Sequence, residues 1–89
     1  MWIAVKDYKI VGACLEAART RAGVTQVELA KRLKKPQSFV SSYETGQRRI
    51  DVLELARIAD ALDLDPARLA AQIFDGISSP ATKRSKTKR

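Results

Sequence analysis

The chain contains no histidine and a single cysteine, Cys14. One thiol cannot close an intramolecular disulfide, and a reducing cytoplasm is the natural home for such a chain. The donor sets that hold zinc or copper tightly are missing, so no metal is expected. Cys14 itself reads as a small core residue rather than a redox group. Five aromatic residues in 89 leave a core that has to be mostly aliphatic. No apolar run approaches the roughly 20 residues that span a bilayer, and MWIAVK is too short for a signal peptide. No amphipathic anchor accompanies the basic residues, so no membrane role is expected. No nucleophile–base pair and no phosphate-cradling glycine loop is evident, nor any small-molecule pocket. Neither enzyme activity nor a cofactor is expected.

What the chain has in excess is positive charge. Net charge is +7 with a pI near 10.0, which favours a polyanionic partner. Residues 1–74 hold 12 basic and 9 acidic groups, while residues 75–89 hold 5 basic and 1 acidic. The excess is thus shared between a folded part and a tail. Eighty-nine residues, 45% of them hydrophobic, allow one small domain with one core.

The chain is organised around Thr25 to Gly46, TQVELAKRLKKPQSFVSSYETG. Thr25 with Glu28 three residues on has the spacing of a reciprocal capping box, and Val24 and Leu29 sit at the staple positions. Leu29, Ala30 and Leu33 give an apolar stripe, with Lys31 and Arg32 on what reads as a solvated face. Lys34-Lys35-Pro36 ends that helix, because the residue before proline is driven out of the α region. A second short helix follows from about Gln37 to Thr45, burying Val40 and Tyr43 and stopping at Gly46 as a left-handed cap. Gln37, Ser38, Ser41 and Ser42 share one face of it. That face is uncharged and rich in short hydrogen-bonding groups, unlike the Lys/Glu mixture of an ordinary surface helix. Two short helices joined by a tight turn describe a helix-turn-helix.

The flanks are helical as well. Asp7 can cap a first helix over about Tyr8 to Ala22, whose Val11, Cys14, Leu15, Ala18 and Ala22 recur at helical spacing. Gly23 follows as its stop. Before it, Met1 to Lys6 reads as a short strand or an irregular lead-in. Asp51 and Glu54 repeat the capping template for a fourth helix reaching about Leu62, with Leu55, Ile58, Ala59 and Leu62 on one face. Asp65 as cap and Pro66 at the first position open a fifth, reaching about Phe74. The pattern is all-α with boundaries at 1–7 (lead-in), 8–74 (domain) and 75–89 (tail). The tail has almost no apolar residues and is expected to be disordered, serving either as a solubilising tail or as a phosphate-binding arm.

Four runs together resemble the Cro/repressor (lambda-repressor-like, or XRE) helix-turn-helix family: Thr25-Gln26-x-Glu28-Leu29-Ala30, Gln37-Ser38-Phe39-Val40-Ser41, Tyr43-Glu44-x-Gly46 and Leu62-x-Leu64-Asp65-Pro66. The resemblance spans about Val11 to Ile73. It implies a compact five-helix DNA-binding domain with the helix-turn-helix at helices 2 and 3. It also implies that Gln26 meets a phosphate while bracing Gln37, and that Arg19 pairs with Glu44. The family's turn commonly has glycine followed by an apolar residue, where this chain has Lys34 and Lys35. A lysine held there in a left-handed conformation costs on the order of 1 kcal/mol. At the cap of the third helix, often Ser or Thr, Pro36 offers no side-chain acceptor.

In a helix-turn-helix the N-terminal residues of the second helix meet base edges in the major groove. Glutamine can pair bidentately with adenine and serine can serve several bases, so Gln37, Ser38, Ser41 and Ser42 are the expected base readers. Phosphate contacts are expected from Arg48 and Arg49 in the loop after that helix, from Lys34 and Lys35, and from Gln26. Phe39 falls where it can touch sugar or a thymine methyl, or else pack beside Tyr8 or Trp2. A monomer would read too few base pairs, so a homodimer on a two-fold double-stranded operator is expected. Leu53, Ile73 and Phe74 remain as apolar groups for a dimer face on the last two helices, unless they enlarge the core. The leading reading is a small cytoplasmic transcriptional regulator of bacterial or phage type, similar in size to Cro and restriction-modification controller proteins. The alternative is an antitoxin of the same fold that sequesters a toxin.

Overall fold

In the computed structural model, which describes residues 3–77, the chain forms five helices in sequence order: α1 (Val5–Arg21), α2 (Gln26–Leu33), α3 (Gln37–Glu44), α4 (Val52–Ala61) and α5 (Pro66–Ile77). Among the described residues there is no strand. The fifth helix runs three residues past its expected end at Phe74: Asp75, Gly76 and Ile77, expected in a disordered tail, continue α5. The rest of that tail, and any packing of Trp2, lie outside the described residues.

The first helix starts earlier than its sequence pattern suggests. Ala4 is the N-cap and Asp7 stands at the third helical position, where its carboxylate accepts the Ala4 backbone N–H at 3.0 Å. An acid one turn in satisfies an orphan donor as well as a capping residue does, so Asp7 recruits Val5 and Lys6 into the helix. Ala22, expected on the apolar stripe, is an exposed cap. At α2 only half of the expected capping box forms: Thr25 Oγ1 accepts from the Glu28 N–H at 3.0 Å, while the Glu28 carboxylate turns to Arg32 at 3.4 Å. At α4 the box is complete, Asp51 and Glu54 each accepting the other's backbone N–H, at 2.8 and 3.0 Å.

Helices α1 to α4 all end on one device. A left-handed residue reverses the chain at Gly23 (φ 75°), Lys34 (φ 59°), Gly46 (φ 84°) and Asp63 (φ 58°), and paired backbone bonds reach back to the orphan carbonyls. At the turn between α2 and α3 these bonds run from Lys34 to the Lys31 carbonyl at 3.1 Å and from Lys35 to the Ala30 carbonyl at 3.0 Å. Lys34 therefore occupies a glycine position at a steric cost. Replacing it with glycine is expected to stabilise the protein by about 1 kcal/mol, raising Tm by roughly 4–8 °C in a domain of this size. A thermal melt that shows no rise would mean that the lysine side chain repays its strain elsewhere.

The core collects Leu15 and Ala18 from α1, Leu29 and Ala30 from α2, and Val40 and Tyr43 from α3, closed by Ile58, Ala59, Leu69 and Ile73 from the last two helices. Full burial of each large aliphatic side chain contributes about 1.5–3 kcal/mol. Ile73, expected on a dimer face, is 5% exposed and belongs to this core, because it shares with Leu69 the inward stripe of α5. Tyr43 packs edge-on against Phe39, ring centroids 5.5 Å apart, and its hydroxyl is buried with no hydrogen-bond partner. Burial pushes that phenol well above its ordinary pKa. Tyr43→Phe removes an unsatisfied group, so chemical denaturation should show the variant equal to the parent or more stable by about 1 kcal/mol. A clear loss of stability would reveal a partner for the hydroxyl.

Helices α1 and α3 approach closely where α1 carries Gly12. A methyl group there would lie 2.3 Å from the Tyr43 carbonyl oxygen and 2.5 Å from that of Glu44. Gly46, just past α3, is also tight: a methyl there would lie 2.9 Å from the Lys9 backbone. The glycines let the end of α3 lie directly on α1, which fixes how far the start of α3 stands out.

Candidate nucleic-acid interface

α3 has eight residues, too short to persist alone, so its placement comes from tertiary contacts. Its inner face buries Val40, Tyr43 and Glu44. Its outer face carries Gln37 and Ser38, both exposed, with Ser41 and Ser42 half-buried beside them. The Ser42 hydroxyl donates to the Ser38 carbonyl at 2.6 Å, which commits its proton and leaves the oxygen to act only as an acceptor. Pro36 caps α3 without a side-chain bond, and its carbonyl accepts the Phe39 N–H at 3.0 Å.

Behind this face runs a connected set of polar side chains. Arg19 grips Glu44 with two bonds, Nε to Oε2 at 2.7 Å and Nη2 to Oε1 at 3.1 Å, and donates a third to the Val24 carbonyl at 2.8 Å. The two side chains are 11% and 2% exposed. Glu44 stands at the C-terminus of α3, where the helix dipole disfavours an anion, so the guanidinium offsets both burial and dipole. The side-chain bond to Glu44 accordingly holds the Arg19 pKa above its ordinary value. Gln26, first residue of α2, donates Nε2 to Glu44 Oε1 at 2.9 Å and accepts from Gln37 Nε2 at 3.2 Å. The Arg19–Glu44 pair and the Gln26 brace implied by the resemblance are thus both formed, and they meet at one carboxylate.

The cations around the turn separate into two kinds. Lys34, Lys35 and Arg49 are exposed and grip no carboxylate within 4.0 Å among the described residues, although Lys35 lies near enough to Glu54 to act on its charge. Lys35 Nζ lies 5.5 Å from the centre of the Phe39 ring, and Arg49 stacks on Tyr8 at 5.8 Å. Arg48 is committed elsewhere. Its guanidinium packs on Phe39 at 4.7 Å and grips the two Glu54 oxygens at 3.1 and 2.8 Å, tying the loop to the start of α4. Its bond, with the Asp51 N–H, holds the Glu54 carboxyl below its usual range. A depressed carboxylate pKa stabilises the folded state above the ordinary carboxylate range, and that stability is lost as pH falls through the lowered value. Phe39 lies edge-on to Tyr43 and within reach of both the Lys35 and Arg48 side chains, and its expected packing beside Trp2 falls outside the described residues.

Sequence reasoning missed two features here. Arg32, read as part of a solvated face, donates to the Ala61 carbonyl at 2.7 Å and so caps the end of α4 with a cation. An open groove of about 420 Å³ runs from the turn to α4, floored by Leu33, Phe39 and Ile58 and edged by Lys34, Lys35 and Arg57. No spacing along the chain announces either, since both join residues far apart in sequence. On α4, Leu53 is 77% exposed and its neighbour Val52 81%; on α5, Phe74 is 63% exposed.

A helix-turn-helix family model matches residues 15–69, from the middle of α1 through α2, α3 and α4 to the first turn of α5. Three solved structures share the fold. The clp gene regulator ClgR from C. glutamicum is 25% identical with a TM-score of 0.74, covering 81% of this chain and 94% of that one. The restriction-modification controller protein C.AhdI from Aeromonas hydrophila is 33% identical at a TM-score of 0.66, covering 72% and 97%. An XRE-family like protein from Pseudomonas syringae pv. tomato is 38% identical at a TM-score of 0.70, covering 82% and 89%. Comparison with curated proteins returns no match. With the polar outer face of α3 braced from behind by Glu44 and Gln26, and with this match over most of its folded length, the chain belongs to the XRE-type helix-turn-helix family of DNA-binding transcription regulators.

Proposed function

We propose that the protein is a homodimeric regulator, cytoplasmic in a bacterium or phage-infected cell, that sets α3 into the major groove of a two-fold operator and acts as a repressor or autoregulator. The observation that carries this reading is the outer face of α3, uncharged, exposed at Gln37 and Ser38 and flanked by cations. Gln37, Ser38, Ser41 and Ser42 read bases. Lys34, Lys35 and Arg49, none of them held in a close ion pair, take phosphates, with Gln26 beside them and Phe39 against sugar. Arg48 joins them only as far as Glu54 releases it. Leu53 and Phe74, exposed on α4 and α5, contribute to the contact between subunits, and half-sites lie roughly 34–36 Å apart. The folded part forms the DNA-binding domain and the basic tail adds salt-sensitive affinity.

Selection of bound sites from random DNA tests the whole reading at once, since it reports sequence, symmetry and spacing. A two-fold motif is expected; no enrichment would refute it. On the selected operator, Gln37→Ala should cost about 1–3 kcal/mol and relax preference at one base pair per half-site. Equal losses on operator and random DNA would remove Gln37 from the base readers.

A further inference from the structure

We propose that Glu44 sets, through Gln26, which groups of the Gln37 amide face a DNA base. The inference rests on the regulator reading above. A carboxylate can only accept hydrogen bonds. Glu44 Oε1, 2.9 Å from Gln26, therefore takes one N–H of the Gln26 amide, which leaves the second N–H for a phosphate and turns the amide oxygen to Gln37. That oxygen, 3.2 Å from Gln37, can only accept, so it draws the amide nitrogen of Gln37 toward itself. Gln37 is left with its carbonyl oxygen and one N–H for the groove. One acceptor and one donor match adenine, which offers the N6 amino group and N7. Guanine offers two acceptors, O6 and N7, and fits an amide turned the other way.

Glu44 is thus a positioning residue. It touches no base, being 2% exposed behind α3, yet its charge fixes the polarity of a two-amide relay. Arg19 keeps that charge in place with bonds to both carboxylate oxygens. Turning the relay over would set an amide oxygen against the carboxylate and forfeit a charge-assisted hydrogen bond, a bias on the order of tenfold or more.

Glu44→Gln tests this with almost no change of shape. Arg19 then claims the single carbonyl oxygen at position 44, the new amide nitrogen faces Gln26, and both following amides reverse. The adenine-over-guanine preference at one base pair of each half-site is expected to fall about tenfold or more, with the other positions unchanged. Ile58→Val, a core change on α4 remote from the amides, should leave that ratio alone. Should Glu44→Gln fail to fold, Gln26→Met cuts the relay while leaving Arg19 and Glu44 paired, and the same ratio should relax toward one. Binding-site selection and competition between the two operators read the ratio independently of overall affinity. An unchanged ratio in the folded variants overturns the relay alone; a parent protein that selects no sequence overturns the regulator reading and the relay with it.

Discussion

Gly12→Ala is expected to remove a large share of the protein's stability. The added methyl would stand 2.3 Å from the Tyr43 carbonyl oxygen, 2.5 Å from the Glu44 oxygen and 2.7 Å from the Glu44 carbonyl carbon. All three obstacles are backbone, so no rotamer change relieves them. Overpacking a core costs about 1–3 kcal/mol and occasionally more, and a rigid neighbour puts this site at the upper end. A chain of this length has roughly 5–10 kcal/mol in total, so Tm should fall by more than about 10 °C. Gly23→Ala is the control for backbone strain: φ is 75° there, but an added methyl meets nothing within 4 Å. Only about 1 kcal/mol should be lost at Gly23. Similar melting temperatures for the two variants would mean that the α1–α3 approach is looser than drawn.

Arg19→Met is the second change with a large effect. It leaves the Glu44 carboxylate, 2% exposed, without its counter-charge and at the unfavourable end of a helix dipole. Breaking such a pair from one side costs about 3–5 kcal/mol. The Val24 carbonyl loses its donor as well. Replacing both Arg19 and Glu44 with Met should recover most of that loss, because the penalty belongs to the stranded charge. A double variant no more stable than the single one would show that the pair's geometry, rather than charge balance, holds α1 to α3. Urea denaturation of the three proteins decides between these outcomes.

What could be read from the sequence was what neighbours along the chain encode. Caps at Thr25, Asp51 and Asp65, stops at Gly23 and Gly46, and helical spacing of apolar residues locate five helices without knowledge of their packing. Arg19 with Glu44, and Gln26 with Gln37, came through the resemblance, since nothing in the spacing of 25 and 11 residues announces a contact. Non-local features stayed hidden. Arg32 finds the Ala61 carbonyl 29 residues away. Arg48 and Glu54 are only six residues apart, but their pairing depends on how the loop after α3 folds back on α4. Ile73 reads equally as core or surface until α5 is rotated against α1, because helical spacing fixes a stripe but not its partner. Gly12 did leave a signal, a glycine set among the apolar positions of a helix, which marks close approach of another backbone. Asp7 misled because an acid serves equally at the cap or one turn in.

The division of labour within α3 has a consequence for retargeting. Val40, Tyr43 and Glu44 root the helix, whereas Ser38, Ser41 and Ser42 contribute no buried apolar surface to the fold. On the proposed reading, the exposed Ser38 is a label on a fixed mount, whereas Ser41 and Ser42 are half-buried and admit only side chains of similar size. Libraries varied within those limits should yield new operator preferences at nearly constant melting temperature, making the protein a compact chassis for custom DNA addresses.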